Sequence, residues 1–191
     1  MNDIIKNSLK NSLETNRKLL QDDQIHDNII LIARLCLDAF ESGNKLLLCG
    51  NGGSASDAQH IASELSGRFY KDRSPLNAQA LHVNSSYMTA VANDYGFSKT
   101  YERSVQAFGK KGDILIGIST SGNSSNVINA IKIAKEKKLI TVGFTGIDGG
   151  KLNNICDYII KIPSYDTARI QEGHILIGHI MCELIEKSLF S

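Results

Sequence analysis

Residues 45–57 read KLLLCGNGGSASD. The run at 45–49 is short, almost wholly apolar and closed by Gly50, which is how a strand buried on both faces of a parallel sheet reads. Gly50, Gly52 and Gly53 then permit a tight turn and close backbone approach, and Ser54 is placed to cap the helix that follows. A buried strand turning on glycines into a helix is the repeating unit of a parallel α/β fold.

Similar apolar runs recur at 78–83, 113–118 (DILIGI), 140–144 (ITVGF) and 158–162 (YIIKI). Helical periodicity lies between them at 55–66, 87–93, 100–106 and 127–136, and a long final helix is expected at 167–189. Two further helices precede the first strand, at 3–21 and 27–41; in the second, Ile29, Ile30, Ile32, Ala33, Leu37 and Phe40 recur at helical spacing before Ser42-Gly43-Asn44 ends it. Five strands joined by helical crossovers predict a doubly wound, five-stranded parallel sheet flanked by helices, with extra N-terminal helices and a long C-terminal helix. Neither a repeat nor a linker interrupts the pattern, so residues 1–191 read as one domain: an N-terminal helical part (1–43), then an α/β core with the C-terminal helix (44–191). In such sheets ligands bind beyond the carboxyl ends of the strands.

Composition narrows the partners. Lys and Arg number 21 against 20 Asp and Glu, a net charge of +1, whereas nucleic-acid or membrane-surface binding needs an excess of basic residues on one face. The most apolar stretch, 29–40, is broken by Arg34 and Asp38 and is too short to span a bilayer, and the N-terminus has no continuous apolar segment of a signal peptide. A cytoplasmic location is the expectation. Cys36, Cys49, Cys156 and Cys182 form no CxxC pair and lie in apolar contexts, so all four read as reduced core residues.

Three constellations carry chemistry. The first is the glycine loop after the first strand, which reads as a phosphate site or as a bare glycine-rich connection. Gly50, Gly52 and Ala55 also fit a dinucleotide pattern, but the next strand ends near His82-Val83-Asn84 without the carboxylate that would hold a ribose. The second is STSGNSSN at 119–126, where Ser119, Thr120, Ser121, Ser124 and Ser125 surround Gly122 at a helix N-terminus. One serine suffices for a cap, so the remaining hydroxyls point to a phosphate dianion held by hydroxyl and amide donors at the positive end of the helix. The third is His60 and Glu64, four apart on one helix face, a spacing that suits a metal, acid/base work or a solvated pair. On the last helix Gln171, Ile175 and His179 share a stripe, with about 12 Å of rise from Gln171 to His179. His174 is out of phase with that stripe and reads as non-catalytic, and His26 and His82 have no partner visible in the sequence.

GNGGSASDAQHIASEL, AVANDYGF, GISTSGNSSNV, TGIDGGKL and ARIQEGHILIGHIMCELIE, in this order, resemble the bacterial phosphoheptose isomerases (sedoheptulose 7-phosphate isomerases) of the sugar-isomerase (SIS) domain superfamily. The resemblance implies an enzyme converting D-sedoheptulose 7-phosphate to D-glycero-D-manno-heptose 7-phosphate through a cis-enediol, the first step of ADP- or GDP-heptose synthesis for lipopolysaccharide or other surface glycans. It implies substrate contacts at Asn51, Gly52, Gly53, Glu64, Asn93, Asp94, Ser119, Thr120, Ser121, Ser124 and Gln171. It further implies one zinc ion per subunit held by His60, Glu64, Gln171 and His179, with Glu64 and His179 as the acid/base pair, and a homotetramer with active sites near subunit interfaces. Ala168 departs from relatives that carry Asp beside the RIQE motif, with Asp166 close by. Some superfamily members, such as the DnaA initiator-associating protein, keep this length and fold as binding proteins. A sugar-phosphate-sensing regulator would need a DNA-binding domain that this length leaves no room for.

Overall fold

The computed structural model describes residues 1–190. Two helices, α1 (Asn2–Leu20) and α2 (Asp23–Glu41), precede the alternating part: β1 (Leu46–Gly50), α3 (Gly53–Ser66), β2 (Ala78–Ala80), α4 (Ser85–Tyr95), α5 (Thr100–Phe108), β3 (Ile114–Ile118), α6 (Ser125–Glu136), β4 (Ile140–Thr145), β5 (Tyr158–Lys161) and α7 (Thr167–Leu189). The five strands form one parallel sheet in the order β2-β1-β3-β4-β5, as the run of apolar segments predicts.

Burial follows the strand period. Leu46, Leu48, Ile114, Ile116, Ile118, Val142 and Phe144 point to one side, where they meet α2, α3 and α7. Leu47, Cys49 and Leu115 point to the other and meet Tyr101 and Val105 of α5 and Val127 and Ile131 of α6. Each fully buried side chain of this size contributes about 1.5–3 kcal/mol, so the two helical layers, more than ladder bonding, fix where the sheet sits. Cys36, Cys49 and Cys182 are buried free thiols; Cys156 is free but only half-buried, because it lies in the turn before the edge strand β5 rather than inside a layer.

Two element boundaries differ from the sequence pattern for local reasons. Helix α2 starts at Asp23, four residues earlier than the apolar spacing suggests, because the Asp22 side chain accepts a hydrogen bond from the Ile25 N–H and caps it there. Strand β2 ends at Ala80 rather than at 83. It is an edge strand paired to β1 alone over Leu46–Ala78, Leu47–Gln79 and Leu48–Ala80, and after one more bond, from Leu81 N–H to Leu48 C=O, the chain turns away.

The connection order creates a switch point. From β1 the chain runs outward to β2 and returns to β3 on the opposite side of β1, so the loops after β1 and β3 leave adjacent strand ends in diverging directions. The other end of these strands is locked by Asp113. Its carboxylate is fully buried and accepts from the Lys45 N–H (3.1 Å), the Lys45 ammonium (2.6 Å) and the Lys110 N–H (2.9 Å). Removing one member of a buried, hydrogen-bonded ion pair leaves the other uncompensated. Asp113→Ala is therefore expected to lower unfolding free energy by about 3 kcal/mol in urea titrations; a loss below about 0.5 kcal/mol, the range of an ordinary surface change, would contradict this role.

Candidate active site

The loops after β1 and β3 are tied to each other. Asn51 and Asn126 exchange two amide hydrogen bonds, each 2.9 Å, and Asn126, only 1% exposed, also accepts from the Val127 N–H. The Tyr101 hydroxyl donates to the Gly50 carbonyl from the far side. Helix α3 begins one residue before Ser54: Gly52, at φ 55°, occupies the cap position without a side chain, and Ser54 is buried inside the first turn. The expected Ser54 cap is therefore not formed, because a left-handed glycine starts the helix earlier.

In the serine loop Gly122 adopts φ 65° and presses against the main chain at Gly149 and Gly150, where any side chain would collide. Ser119, 3% exposed, pairs its hydroxyl with that of Ser124 at 2.9 Å. Ser124 precedes α6 but makes no capping bond, and with the Val127 N–H taken by Asn126, the amides of Ser125 and Asn126 are left at the loop. Thr120, Ser121 and Asn123 line a cleft of about 290 Å³ with Gly146, Ser164, Thr167 and Ile170. The cleft thus joins the serine loop to the first turn of α7.

Helices α3 and α7 run side by side in the same direction. The Gln171 amide packs on Gly53 at the start of α3, and further along Gly178 packs on Ile61, whose Cδ1 would lie 2.5 Å from a Cβ added at 178. That approach brings three side chains together. His60 Nε2 lies 2.9 Å from His179 Nε2 and 3.2 Å from Glu64 Oε1, and one donor atom from each of the three residues falls within 4.8 Å of the others. Phe69 stacks on the His179 ring with centroids 5.8 Å apart. Two imidazole nitrogens and a carboxylate oxygen converging on one point are a donor set that suits zinc.

The remaining expected residues are distributed as follows. Gln171 sits at Gly53, about two turns before His60 along α3. Asn93 and Asp94 are exposed at the end of α4 and hydrogen-bond to each other (2.9 Å). Asp166 caps α7 by accepting from the Ala168 N–H (2.9 Å), which commits one of its oxygens. His26 Nε2 meets the Leu19 carbonyl and His82 Nε2 meets Gln59. Asp57, one turn before His60, has its carboxyl pushed up to about 6 by burial, against the opposing pull of His60. Asn126 and Gly178 were not singled out by sequence reasoning. A glycine inside a helical pattern was the available signal for Gly178, since it implies close packing.

Fold and site together define a doubly wound α/β protein with a cleft beside the serine loop at its switch point and a His/Glu/His cluster between α3 and α7. Residues 11–146 match the SIS domain family. A phosphoheptose isomerase of Clostridium acetobutylicum is 50% identical over 190 residues, covering 100% of this chain and 97% of the relative. The structure of phosphoheptose isomerase GmhA from Neisseria gonorrhoeae superposes with a TM-score of 0.91 at 39% identity, covering 97% of this chain and 98% of that one. A phosphoheptose isomerase from Francisella tularensis gives a TM-score of 0.93 at 36% identity, covering 97% of each chain. The chain belongs to the phosphoheptose isomerases of the SIS domain family.

His174, between Gln171 and His179, is fully buried, with Nε2 3.1 Å from the Thr145 carbonyl. Burial outweighs that hydrogen bond and brings its pKa from 6.5 down to about 4. The folded-state value is depressed, so the unfolded chain takes up a proton that the folded chain refuses; stability is fully present above pH 6.5 and is lost as pH falls toward 4, by about 3 kcal/mol. His174→Gln, which keeps an N–H for Thr145, is expected to flatten this dependence in denaturant titrations between pH 7 and 4; an unchanged pH slope would contradict it.

Proposed function

We propose that this chain acts as one unit, the helical part at 1–43 with the core and last helix at 44–191, to isomerise sedoheptulose 7-phosphate to D-glycero-D-manno-heptose 7-phosphate. The convergence of His60, Glu64 and His179 beside a hydroxyl-rich, helix-ended loop carries this reading. A binding protein would have no use for three such groups at contact distance.

The phosphate is assigned to the serine loop, where Ser119, Thr120, Ser121 and Ser124 and the first amides of α6 supply donors and the helix end supplies positive potential. Asn51, Gly52 and Gly53, with Asn93 and Asp94, are assigned to the sugar hydroxyls. About 13 Å of helix rise separates Ile170, at the cleft, from His179. A three-carbon sugar phosphate is too short for such a span, whereas an extended seven-carbon chain suits it. Binding at the remote phosphate then positions the reacting carbons.

At the reacting end, the ketose loses a proton from C1 and the enediol gains one at C2. Glu64 Oε1 faces His60, which leaves Oε2 free to take the C1 proton and return it to C2. His179 moves the proton between the two oxygens. His60, Glu64 and His179, with Gln171 as a further ligand, would hold one zinc ion per subunit, which when bound supplies Lewis-acid polarisation of the carbonyl. Gln171 would have to leave Gly53 to join them.

A closed homotetramer is supported by an apolar stripe on α1, where Ile5, Leu9, Leu13 and Leu20 are 59%, 61%, 70% and 76% exposed, beside exposed Leu176 and Ile180 of α7. No helix among the described residues is long and apolar enough to cross a membrane. The four free cysteines support a cytoplasmic, reducing location.

Incubation with sedoheptulose 7-phosphate and zinc, followed by NMR, is expected to show heptose 7-phosphate formation; no turnover would refute the assignment. Glu64→Gln is expected to lower exchange of the C1 proton with solvent by about 10²- to 10⁴-fold while the protein stays folded. Exchange at the wild-type rate would place the base elsewhere.

A further inference from the structure

We propose that Arg73 and Glu186 form a buried clamp that positions Glu64 and His179, setting the register of α3 against α7 on which the His60–Glu64–His179 group depends. This inference rests on reading that group as the cation-binding and catalytic centre. Neither clamp residue hydrogen-bonds the side chains of the group; Arg73 reaches only the Glu64 main chain.

Both side chains are 2% exposed and meet at 3.1 Å, Arg73 Nε donating to Glu186 Oε1. Apart from a 3.2 Å bond from Nη1 to the Ser74 carbonyl, the rest of the guanidinium serves the end of α3. Nη2 donates to the main-chain carbonyl of Glu64 (2.8 Å), and Nη1 to those of Leu65 (2.7 Å) and Gly67 (3.1 Å). Carbonyls in the last turn of a helix have no partner within it, and Arg73 supplies one for the residue that carries the proposed base.

Glu186 does the corresponding work from α7, about two turns beyond His179. Its carboxylate accepts from the N–H groups of Phe69 (3.3 Å), Tyr70 (2.8 Å) and Lys71 (3.0 Å). The segment held in this way presents the Phe69 ring to His179, with ring planes 26° apart. Burial alone would raise the Glu186 carboxyl, but these N–H donors and Arg73 outweigh it and keep it below the usual carboxylate range.

A buried ion pair is no better for stability than apolar side chains of the same volume, so its presence calls for a reason beyond stability. Here the other bonds of the pair end on main chain, and two of them reach residues at the site: the Glu64 carbonyl on one side and the Phe69 amide on the other. Arg73 and Glu186 thereby link the base, Glu64, to the Phe69 ring that packs on His179.

The test compares Arg73→Lys, Glu186→Gln and Phe69→Leu with the wild type, each first checked for folding by thermal melting. Lysine cannot form the planar fork, and glutamine must turn an NH2 group toward one set of the N–H donors. Titration with Co²⁺ alone reads the site through its visible absorption bands, and turnover of sedoheptulose 7-phosphate reads kcat and KM separately. The expected result for variants that fold is Co²⁺ affinity lowered about tenfold with altered bands. Their kcat is expected to fall at least tenfold, with KM within about twofold because the phosphate end is untouched. Should the two clamp variants fail to fold, Phe69→Leu, which keeps an apolar contact, is expected to give the altered bands and lowered kcat. Folded variants with wild-type Co²⁺ spectra and wild-type kcat would overturn the clamp. A wild-type protein that binds no Co²⁺ at these residues would instead overturn the reading of the centre, a distinguishable failure.

Discussion

The close approach of α3 and α7 at Gly178 is the constraint on which the site depends. A glycine inside a helix costs about 0.5–1 kcal/mol relative to alanine. Here it lets Ile61 seat against the α7 backbone where a methyl group would collide. The helices run in the same direction, so this close approach and the contacts at either end of the pair together hold their register. Gln171 reaches the start of α3, His179 meets His60 and Glu64 in the middle, and Glu186 meets Arg73 at the end.

The sheet contributes a second, independent arrangement. The reversal of strand order between β1 and β3 places a glycine loop and a serine loop side by side, and the paired amides of Asn51 and Asn126 lock them together. A net charge of +1 is no obstacle to binding a dianion there, because helix amides and hydroxyls provide the donors without a basic patch. The proposed division of labour follows: the loops hold a phosphate at a distance, and the helix pair does chemistry at the other end of an extended sugar.

Much of this was legible in the sequence, for identifiable reasons. Strands buried on both faces leave continuous apolar runs, and the runs at 45–49 and 113–118 declared a parallel sheet without ambiguity. His60 and Glu64 at helical spacing announced one shared face, and the structure adds the His179 partner contact. What was hidden depends on contacts between distant segments. Nothing local marks Asn126 as the partner of Asn51, or Arg73 as the residue that finishes α3. Ser54 looked like a cap because serine usually serves as one, and only the left-handed conformation of Gly52 shows that the helix starts without it. The short β2 was overestimated because an edge strand obtains its limits from its one neighbour rather than from its own apolar pattern.

Crystals of the protein grown with zinc and sedoheptulose 7-phosphate, measured at the zinc absorption edge, test the two-ended site most directly. One anomalous peak per subunit between His60, Glu64 and His179, with the sugar phosphate density ending in the 119–126 loop, is the expected result. A zinc peak elsewhere, or a phosphate bound away from that loop, would contradict it.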